Sequence, residues 1–431
     1  MSTADLVAVS GFAAMFLMML VRVPIGIAMA LTGVGGFAAI AGWGPALNLL
    51  ATSPVRTATD YNFSLIPMFI LMGVLATASG MSKELFRAGY AWLGHFRGGL
   101  ALATIGACGG FAAICGSSVA TAATMSNIAL PEMRRFGYRD DIATGVIAAG
   151  GTLGILIPPS VVLAIYGFIT EQDVGRLFIA GIVPGLLAVV MYMVTVRLAY
   201  GRSLPAGEAI AWTERLASLR GVWAVLMLFL AIIGGIYLGV VTPTEAAAAG
   251  AFLTGVIGVV RRRLSGAAIM ACLVEALRTT VAIFTILIGA LLFGYFLAIT
   301  QTPQKLTSFL VALDLGSYGT LALILALFVL LGCVLDAMAM IILLVPIVFP
   351  VIQTLGFDPI WFGVIVVMTV ELGLITPPVG MNVFVINSIV PDTNLIGIFK
   401  GVAPFVLTDI LRLALLVAFP WLALFLPTTM G

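Results

Sequence analysis

Apolar runs of about twenty residues recur from one end of this chain to the other, and a run of that length is what an α-helix needs to cross the hydrocarbon core of a bilayer. A soluble multidomain reading fails on charge. Only 9% of the 431 residues are Asp, Glu, Lys or Arg and 62% are hydrophobic, whereas a soluble domain is about a quarter charged. The alternating strand pattern of a membrane barrel is absent. The chain therefore reads as an all-α polytopic membrane protein with the lipid bilayer as its first partner. Spans are expected near 4–21, 23–43, 61–80, 141–170, 177–199, 221–241, 243–260, 280–300, 359–388 and 403–426. The first reads as a retained span rather than a signal peptide, because it starts with Asp5 and places Arg22 after the apolar run. Two further regions, 99–130 and 318–349, are too long for one crossing and too short for two with a loop.

Several function classes fall on residue inventory. None of the three lysines, Lys83, Lys305 and Lys400, follows a glycine, so the chain has no phosphate-binding P-loop. His95 is the single histidine, which leaves little for a zinc site or a histidine-based catalytic pair. Cys108, Cys115, Cys272 and Cys333 form no CxxC and read as small buried residues. An enzyme is not expected, nor an organic cofactor. A net charge of +2 gives no ground for a nucleic-acid partner.

The basic residues instead report topology. They gather at Lys83–Arg97, Arg134–Arg139, Arg197–Arg220 and Arg261–Arg263, and the positive-inside rule puts these clusters in the cytoplasm. Region 99–130 then begins and ends on one side. It reads as a re-entrant hairpin opening to the cytoplasm, the alternative being two short spans with a cramped turn at Cys115–Ser118. Counting onward places 301–317 outside, makes 318–349 a hairpin entering from outside, and leaves both termini outside.

A shift of 219 residues aligns Ile128, Pro131, Gly137, Leu153, Gly154, Pro158 and Pro159 with Ile347, Pro350, Gly356, Leu372, Gly373, Pro377 and Pro378. Each copy runs hairpin, polar turn with a glycine, then a long helix broken by LG…PP. Since the two hairpins face opposite sides, the repeats are inverted. Inverted repeats with interrupted helices mark many secondary transporters, whose site lies near the midplane between them. Prolines remove backbone donors and interrupt a helix, and irregular backbone in a membrane survives only buried in protein or lining a cavity. Freed carbonyls suit a cation, and exposed amide ends suit an anion.

Candidate residues follow from those breaks and from the hairpin tips. Ser117 and Ser118 form the first tip, and Gly332 and Asp336 stand in the second. Ser117 aligns with Asp336 under the shift. An intramembrane carboxylate is a functional hypothesis by default, so Asp336 is read as a cation-site element. Glu371 opens the second break, where it serves an ion, caps the helix or lines the break. Asp409 and Arg412 lie three apart on one helical face and read as an ion pair or as a snorkelling arginine. Asn127 is one of the residues, with Ser117, Ser118, Thr121, Thr124 and Ser126, that make the first hairpin unusually polar. Thr376, beside Pro377, and Asn382 supply oxygens in the second copy, and Thr152 and Gly151 are candidates in the first. Thr121, Thr124 and Ser126 read as packing residues.

The chain resembles the large membrane subunit (DctM-like) of tripartite ATP-independent periplasmic, or TRAP, transporters over essentially its whole length. The resemblance rests on NFSLIPMFILMG at 62–73, CGSSVATAATMSNIALPEMRRFGY at 115–138, GGTLGILIPPS at 150–160, GGIYLGVVTPTEAAAAGA at 234–251, GCVLDAMAMIILLVPI at 332–347 and ELGLITPPVGMNVFVI at 371–386. It implies a multi-pass protein of the bacterial inner membrane that imports an organic acid, usually a carboxylate, with Na⁺ as coupling ion. It also implies an elevator-type ion-transporter fold, a separate small membrane subunit (DctQ-like) and a periplasmic substrate-binding protein (DctP-like). One Na⁺ site would involve Ser117, Ser118, Gly151 and Pro158, the other Gly332, Asp336, Thr376 and Pro377. Substrate would meet Ser117, Ser118, Asn127, Thr376 and Asn382.

The expected organisation is N-terminal scaffold helices in 1–98 and a first transport repeat in 99–175, with hairpin 99–130 and broken helix 141–170. Scaffold helices and a connecting arm would fill 176–300. A second transport repeat would occupy 301–390, with hairpin 318–349 and broken helix 359–388, and a C-terminal helix 391–431. Competing functions are a stand-alone Na⁺/carboxylate symporter, a passive channel and an intramembrane protease. The last is disfavoured by the loop position of His95 and the absence of GxSxG and GxGD patterns.

Overall fold

Lipid offers the backbone no hydrogen-bond partner, so each apolar run must satisfy its own amides as a helix. The structure, a computed structural model, describes residues 3–201, 203–207 and 209–430. Arg202 of the third basic cluster lies outside the described residues. Among the described residues the ordered elements are helices, apart from one bridge between Arg97 and Ala206. Eight helices among the described residues are long and apolar enough to cross a membrane, or nine counting one bent pair.

Both long apolar regions are helical hairpins. The first has arms Gly99–Cys115 and Ser118–Arg135, the second Gly316–Gly332 and Ala337–Thr354. Both LG…PP segments are broken helices. Asp140–Leu156 bends by 41° into Val161–Thr170, and Pro359–Ile375 is followed by Met381–Ile389. Pro158-Pro159 and Pro377-Pro378 are cis and occupy the breaks. A long helix follows each break, Val174–Thr195 in the first repeat and Leu395–Ala418 in the second. The remaining long helices include Thr3–Leu20, Ile25–Ala41, Trp212–Tyr237, Pro243–Val260 and Gly266–Ile299.

Four elements differ from the sequence reading. Trp43–Thr59 is a helix where no span is expected, carrying Asn48, Pro54 and Arg56 and packing on Ile25–Ala41 and Gly266–Ile299. Met81–Leu93 is an amphipathic helix inside the first basic cluster, burying Met81, Leu85 and Phe86 and exposing Lys83 and Arg87. The span expected at 280–300 starts at Gly266, where the Ser265 side chain caps the helix by accepting from the Ala268 amide. Glu275 and Arg278 lie on exposed positions of it, which is why charge alone suggested a later start. Its 34 residues measure about 50 Å at ~1.5 Å per residue, well beyond a ~30 Å hydrocarbon core. The region 403–426 is split into Leu395–Ala418 and Trp421–Thr428 by Pro420, which has no amide to continue the ladder.

Polar contacts group the segment ends into two sets. At the end that carries the basic clusters, Arg261 makes two bonds of 2.8 and 2.9 Å to the Glu84 carboxylate. Arg134 pairs with Asp140 at 2.8 Å, and the Tyr200 hydroxyl donates to the Gly401 carbonyl at 2.9 Å. On the opposite side, Lys305 pairs with Asp5 at 2.6 Å and Trp361 Nε1 donates to the Leu416 carbonyl at 3.0 Å.

Small residues let helices meet backbone to backbone. A Cβ on Gly289 would stand 2.0 Å from the Gly26 carbonyl oxygen, and one on Gly145 would stand 2.3 Å from that of Gly401. In a membrane such close approach supplies the van der Waals contact that replaces a hydrophobic driving force. Gly289→Ala should therefore overpack the crossing with Ile25–Ala41 and cost about 1–3 kcal/mol. Thermal melting of the detergent-solubilised protein checks this; an unchanged midpoint would mean that the two helices do not pack so closely.

Candidate transport site

A broken helix exposes backbone groups, and in each repeat the hairpin tip covers them. In the first, Gly116 turns the chain at φ +63°, a left-handed conformation that glycine adopts without penalty. A Cβ there would lie 2.9 Å from the Pro159 carbonyl oxygen, and one on Gly154 would lie 2.4 Å from the Ser117 carbonyl. Gly151 sits deeper in the same half-helix against Ala122. In the second repeat, Gly332 and Gly373 approach so closely that a Cβ on Gly373 would stand 2.7 Å from the Gly332 Cα. The Gly380 amide donates to the Cys333 carbonyl at 3.1 Å. Tip and break are thus joined in both copies, with Pro158 in the first break and Pro377 in the second.

The aligned residues Ser117 and Asp336 do the same local work. Each is the N-cap of its outbound arm. Ser117 Oγ accepts from the Ala120 amide at 3.3 Å. Asp336 Oδ1 accepts from the Met338 and Ala339 amides at 2.9 and 3.1 Å. Each cap satisfies amides that a helix start leaves unpaired. Both Asp336 bonds fall on Oδ1, so neither uses Oδ2.

One side-chain bond bridges the repeats. Ser118 Oγ lies 2.9 Å from Asn382 Oδ1 and accepts from Asn382 Nδ2 at 2.7 Å. The same Nδ2 reaches the Ala148 carbonyl at 3.3 Å. Both side chains are buried, so the first hairpin tip, the first broken helix and the outer half of the second break are tied together. Thr376 Oγ1 donates back to the Leu372 carbonyl at 2.5 Å. Of the sequence candidates, Asn127 alone is away from the tips. It lies nine residues beyond Ser118 on the same arm, about 13 Å along the helix, exposed and bonded to its own Ala123 carbonyl. Placing it with the tip residues is therefore corrected: the polarity of a hairpin does not fix a residue's position along its arm.

The sequence reading also missed a buried network. Arg412 is fully buried, which excludes snorkelling, and bonds Glu371 at 2.7 Å and Asp409 at 2.9 Å. The Tyr192 hydroxyl bonds the Asp409 carboxylate at 2.8 and 2.9 Å and lies 3.2 Å from Thr152 Oγ1. The Arg412 guanidinium stands 5.6 Å from the Tyr192 ring centroid. Glu371 and Thr152 are 219 apart, so the network joins equivalent positions of the two broken helices through the long helix following each. The Asp409–Arg412 spacing showed in the sequence; Glu371 and Tyr192 come from other helices and left no local signal.

A cavity of about 440 Å³ lies against the first tip. Gly116, Ser117 and Thr124 of the hairpin line it with Thr77 and Glu275 of two other helices and Met338 of the second hairpin. Among the described residues no three His, Cys, Asp or Glu side chains converge as a metal cluster.

The description "Tripartite ATP-independent periplasmic transporter, DctM component" belongs to a family model that matches residues 12–422. The chain is 38% identical over 384 residues to the C4-dicarboxylate TRAP transporter large permease protein DctM of Pseudomonas aeruginosa, covering 89% of this chain and 90% of that protein. It is 35% identical over 400 residues to the isethionate TRAP transporter permease protein DctMQ of Oleidesulfovibrio alaskensis, covering 92% of this chain and 62% of that protein. The crystal structure of the Alcanivorax borkumensis YdaH transporter superposes with a TM-score of 0.64 over 88% of this chain and 90% of that one, at 16% identity, a likeness of fold.

The network sets a stability prediction. Arg412→Leu leaves two buried carboxylates without their cation and should cost about 3–5 kcal/mol. Thr152→Val removes one neutral hydrogen bond and should cost about 1 kcal/mol. Thermal melting of the two variants ranks them; equal, small effects would mean that Arg412 does not hold the carboxylates.

Proposed function

The chain belongs to the DctM component family of the tripartite ATP-independent periplasmic transporters, and from that premise we propose that it imports an organic acid with Na⁺ by an elevator motion. It is a multi-pass membrane permease subunit, not an enzyme. Its cargo would reach it on a periplasmic substrate-binding protein, and a small membrane subunit would complete the complex in the bacterial inner membrane. The relatives named for C4-dicarboxylate and isethionate both take small organic anions, and that class is the one assigned here.

The observation that carries the reading is the pair of tip-and-break junctions, joined across the repeats by Ser118 and Asn382. Interrupted helices in inverted repeats supply carbonyls to a cation and amide ends to an anion. Na⁺ is assigned to the first junction, around Ser117, Ser118, Gly151 and Pro158, and to the second, with Gly332, Thr376, Pro377 and the Asp336 oxygen that the cap bonds do not use. These are hydroxyl, carbonyl and carboxylate oxygens, suited to a hard monovalent ion. The cargo carboxylate then meets hydroxyls and amides from Ser117, Ser118, Asn382 and Thr376. Coupling follows if ion and cargo stabilise the same closed arrangement of the tips. The two repeats, held by the Arg412 network, would move together against the helices that frame them.

Uptake into proteoliposomes holding this chain, its small subunit and the binding protein tests the proposal. Uptake is expected to need both an inward Na⁺ gradient and the binding protein. Persistence without the binding protein would favour a stand-alone symporter, and flux indifferent to Na⁺ would overturn the coupling. Asp336→Asn should raise the Na⁺ concentration for half-maximal uptake about tenfold, equivalent to ~1.4 kcal/mol. An unchanged Na⁺ dependence would remove Asp336 from the ion site.

A further inference from the structure

We propose that the cavity at the first hairpin tip continues into a second, basic cavity, and that the two form a charge-graded path along which an anionic cargo leaves for the cytoplasm. This rests on the reading of the protein as an importer of organic anions. The second cavity measures about 420 Å³ and is lined by Lys83, Arg87, Asn127, Pro131 and Glu132 among others. The two cavities have no lining residue in common but lie in succession along the outbound arm of the hairpin. On the outbound arm, the first takes Ser117, Ala120 and Thr124, and the second takes Asn127, Ile128 and Pro131. Steps of three and four residues keep these positions on one helical face. The facing wall runs in the same direction, from Gly73 and Thr77 of the helix Leu65–Ala78 to Lys83 and Arg87 of Met81–Leu93. Both walls lead toward the cytoplasmic clusters.

The charges along this path are sorted. Glu275 is the sole charged residue lining the inner cavity among the described residues. Lys83 and Arg87 are exposed in the outer one and make no ion pair within 4.0 Å among the described residues, while Glu84 on the same helix is taken up by Arg261 and Arg263. An anion released at Ser117 is repelled by Glu275 and attracted by Lys83 and Arg87, so its electrostatic energy falls outward along the path. Glu132 also lines the outer cavity but stands 3.9 Å from Arg135, so Lys83 and Arg87 supply the uncompensated charge there. An excess of one sign of charge in a cleft changes local ion concentration and rates. Asn127, remote from the tip, gains a place here as a neutral donor midway. Glu275, Lys83 and Arg87 are positioning residues for release, not members of the binding junctions.

Charged thiol reagents read the path without cargo. Thr124→Cys and Asn127→Cys are placed in a background lacking Cys108, Cys115, Cys272 and Cys333, in the complex with its small subunit, and treated from the cytoplasmic side. The anionic sulfonatoethyl methanethiosulfonate should label position 127 about threefold to tenfold faster than the cationic trimethylammonioethyl reagent. Lys83→Gln with Arg87→Gln should abolish that preference. At position 124 the cationic reagent should lead, and Glu275→Gln should abolish its advantage. Cytoplasmic inaccessibility of both positions, or ratios indifferent to the charge changes, would overturn the proposal. Because labelling needs neither Na⁺ nor cargo, its failure is separable from failure of the importer reading. Should the cysteine-free background not fold, Lys83→Gln/Arg87→Gln in the native chain is expected to lower the maximal uptake rate several-fold at unchanged Na⁺ half-saturation; an unchanged maximal rate would equally overturn it.

Discussion

An interrupted helix inside a bilayer cannot leave its backbone ends to lipid, and the architecture of this protein is an answer to that constraint. Each break at a double proline is met by a hairpin tip, Gly116–Ser117 in one repeat and Gly332–Cys333 in the other. The hairpin in turn meets the break at its tip, where the Gly116 and Gly332 backbones pack against Pro159 and Gly373. Hairpin and broken helix therefore form one unit, made twice. The backbone oxygens and hydroxyls that this unit gathers at its centre are the groups that a desolvated ion requires.

The two units are held together by few polar contacts. Ser118 and Asn382 link a tip to the opposite break, and Arg412 gathers Glu371 and Asp409 with Tyr192 between them. The second cluster is not tuned for stability alone. Glu371 Oε1 and Arg412 Nε and Nη1 are buried without a hydrogen-bond partner among the described residues, and a buried ion pair is weak evidence of net stabilisation. The chain of contacts from Thr152 through Tyr192 and Asp409 to Arg412 and Glu371 ties helices of the two repeats to one another.

Much of this was legible in the sequence because its physical causes are local or periodic. Apolar length gave most of the spans, and the constant offset between Pro159 and Pro378 gave the repeats. The prolines and tip serines marked where chain irregularity must be. What the sequence concealed came from residues whose role depends on a partner far along the chain. Glu371 carries no local sign that Arg412 is its neighbour. Lys83 and Arg87 look like ordinary topology markers until Met81–Leu93 is seen to line a cavity with Asn127. The start of the helix at Gly266 was hidden by Glu275 and Arg278, which belong to an exposed stretch of a helix longer than the bilayer is thick.

The account turns on Na⁺ binding where tip meets break, and hydrogen–deuterium exchange resolved by peptide tests that most directly. In the detergent-solubilised complex, Na⁺ but not K⁺ should slow amide exchange at 115–118 and 332–336, and at both double-proline breaks, while the framing helices stay unchanged. Exchange indifferent to Na⁺ at these four segments would contradict it.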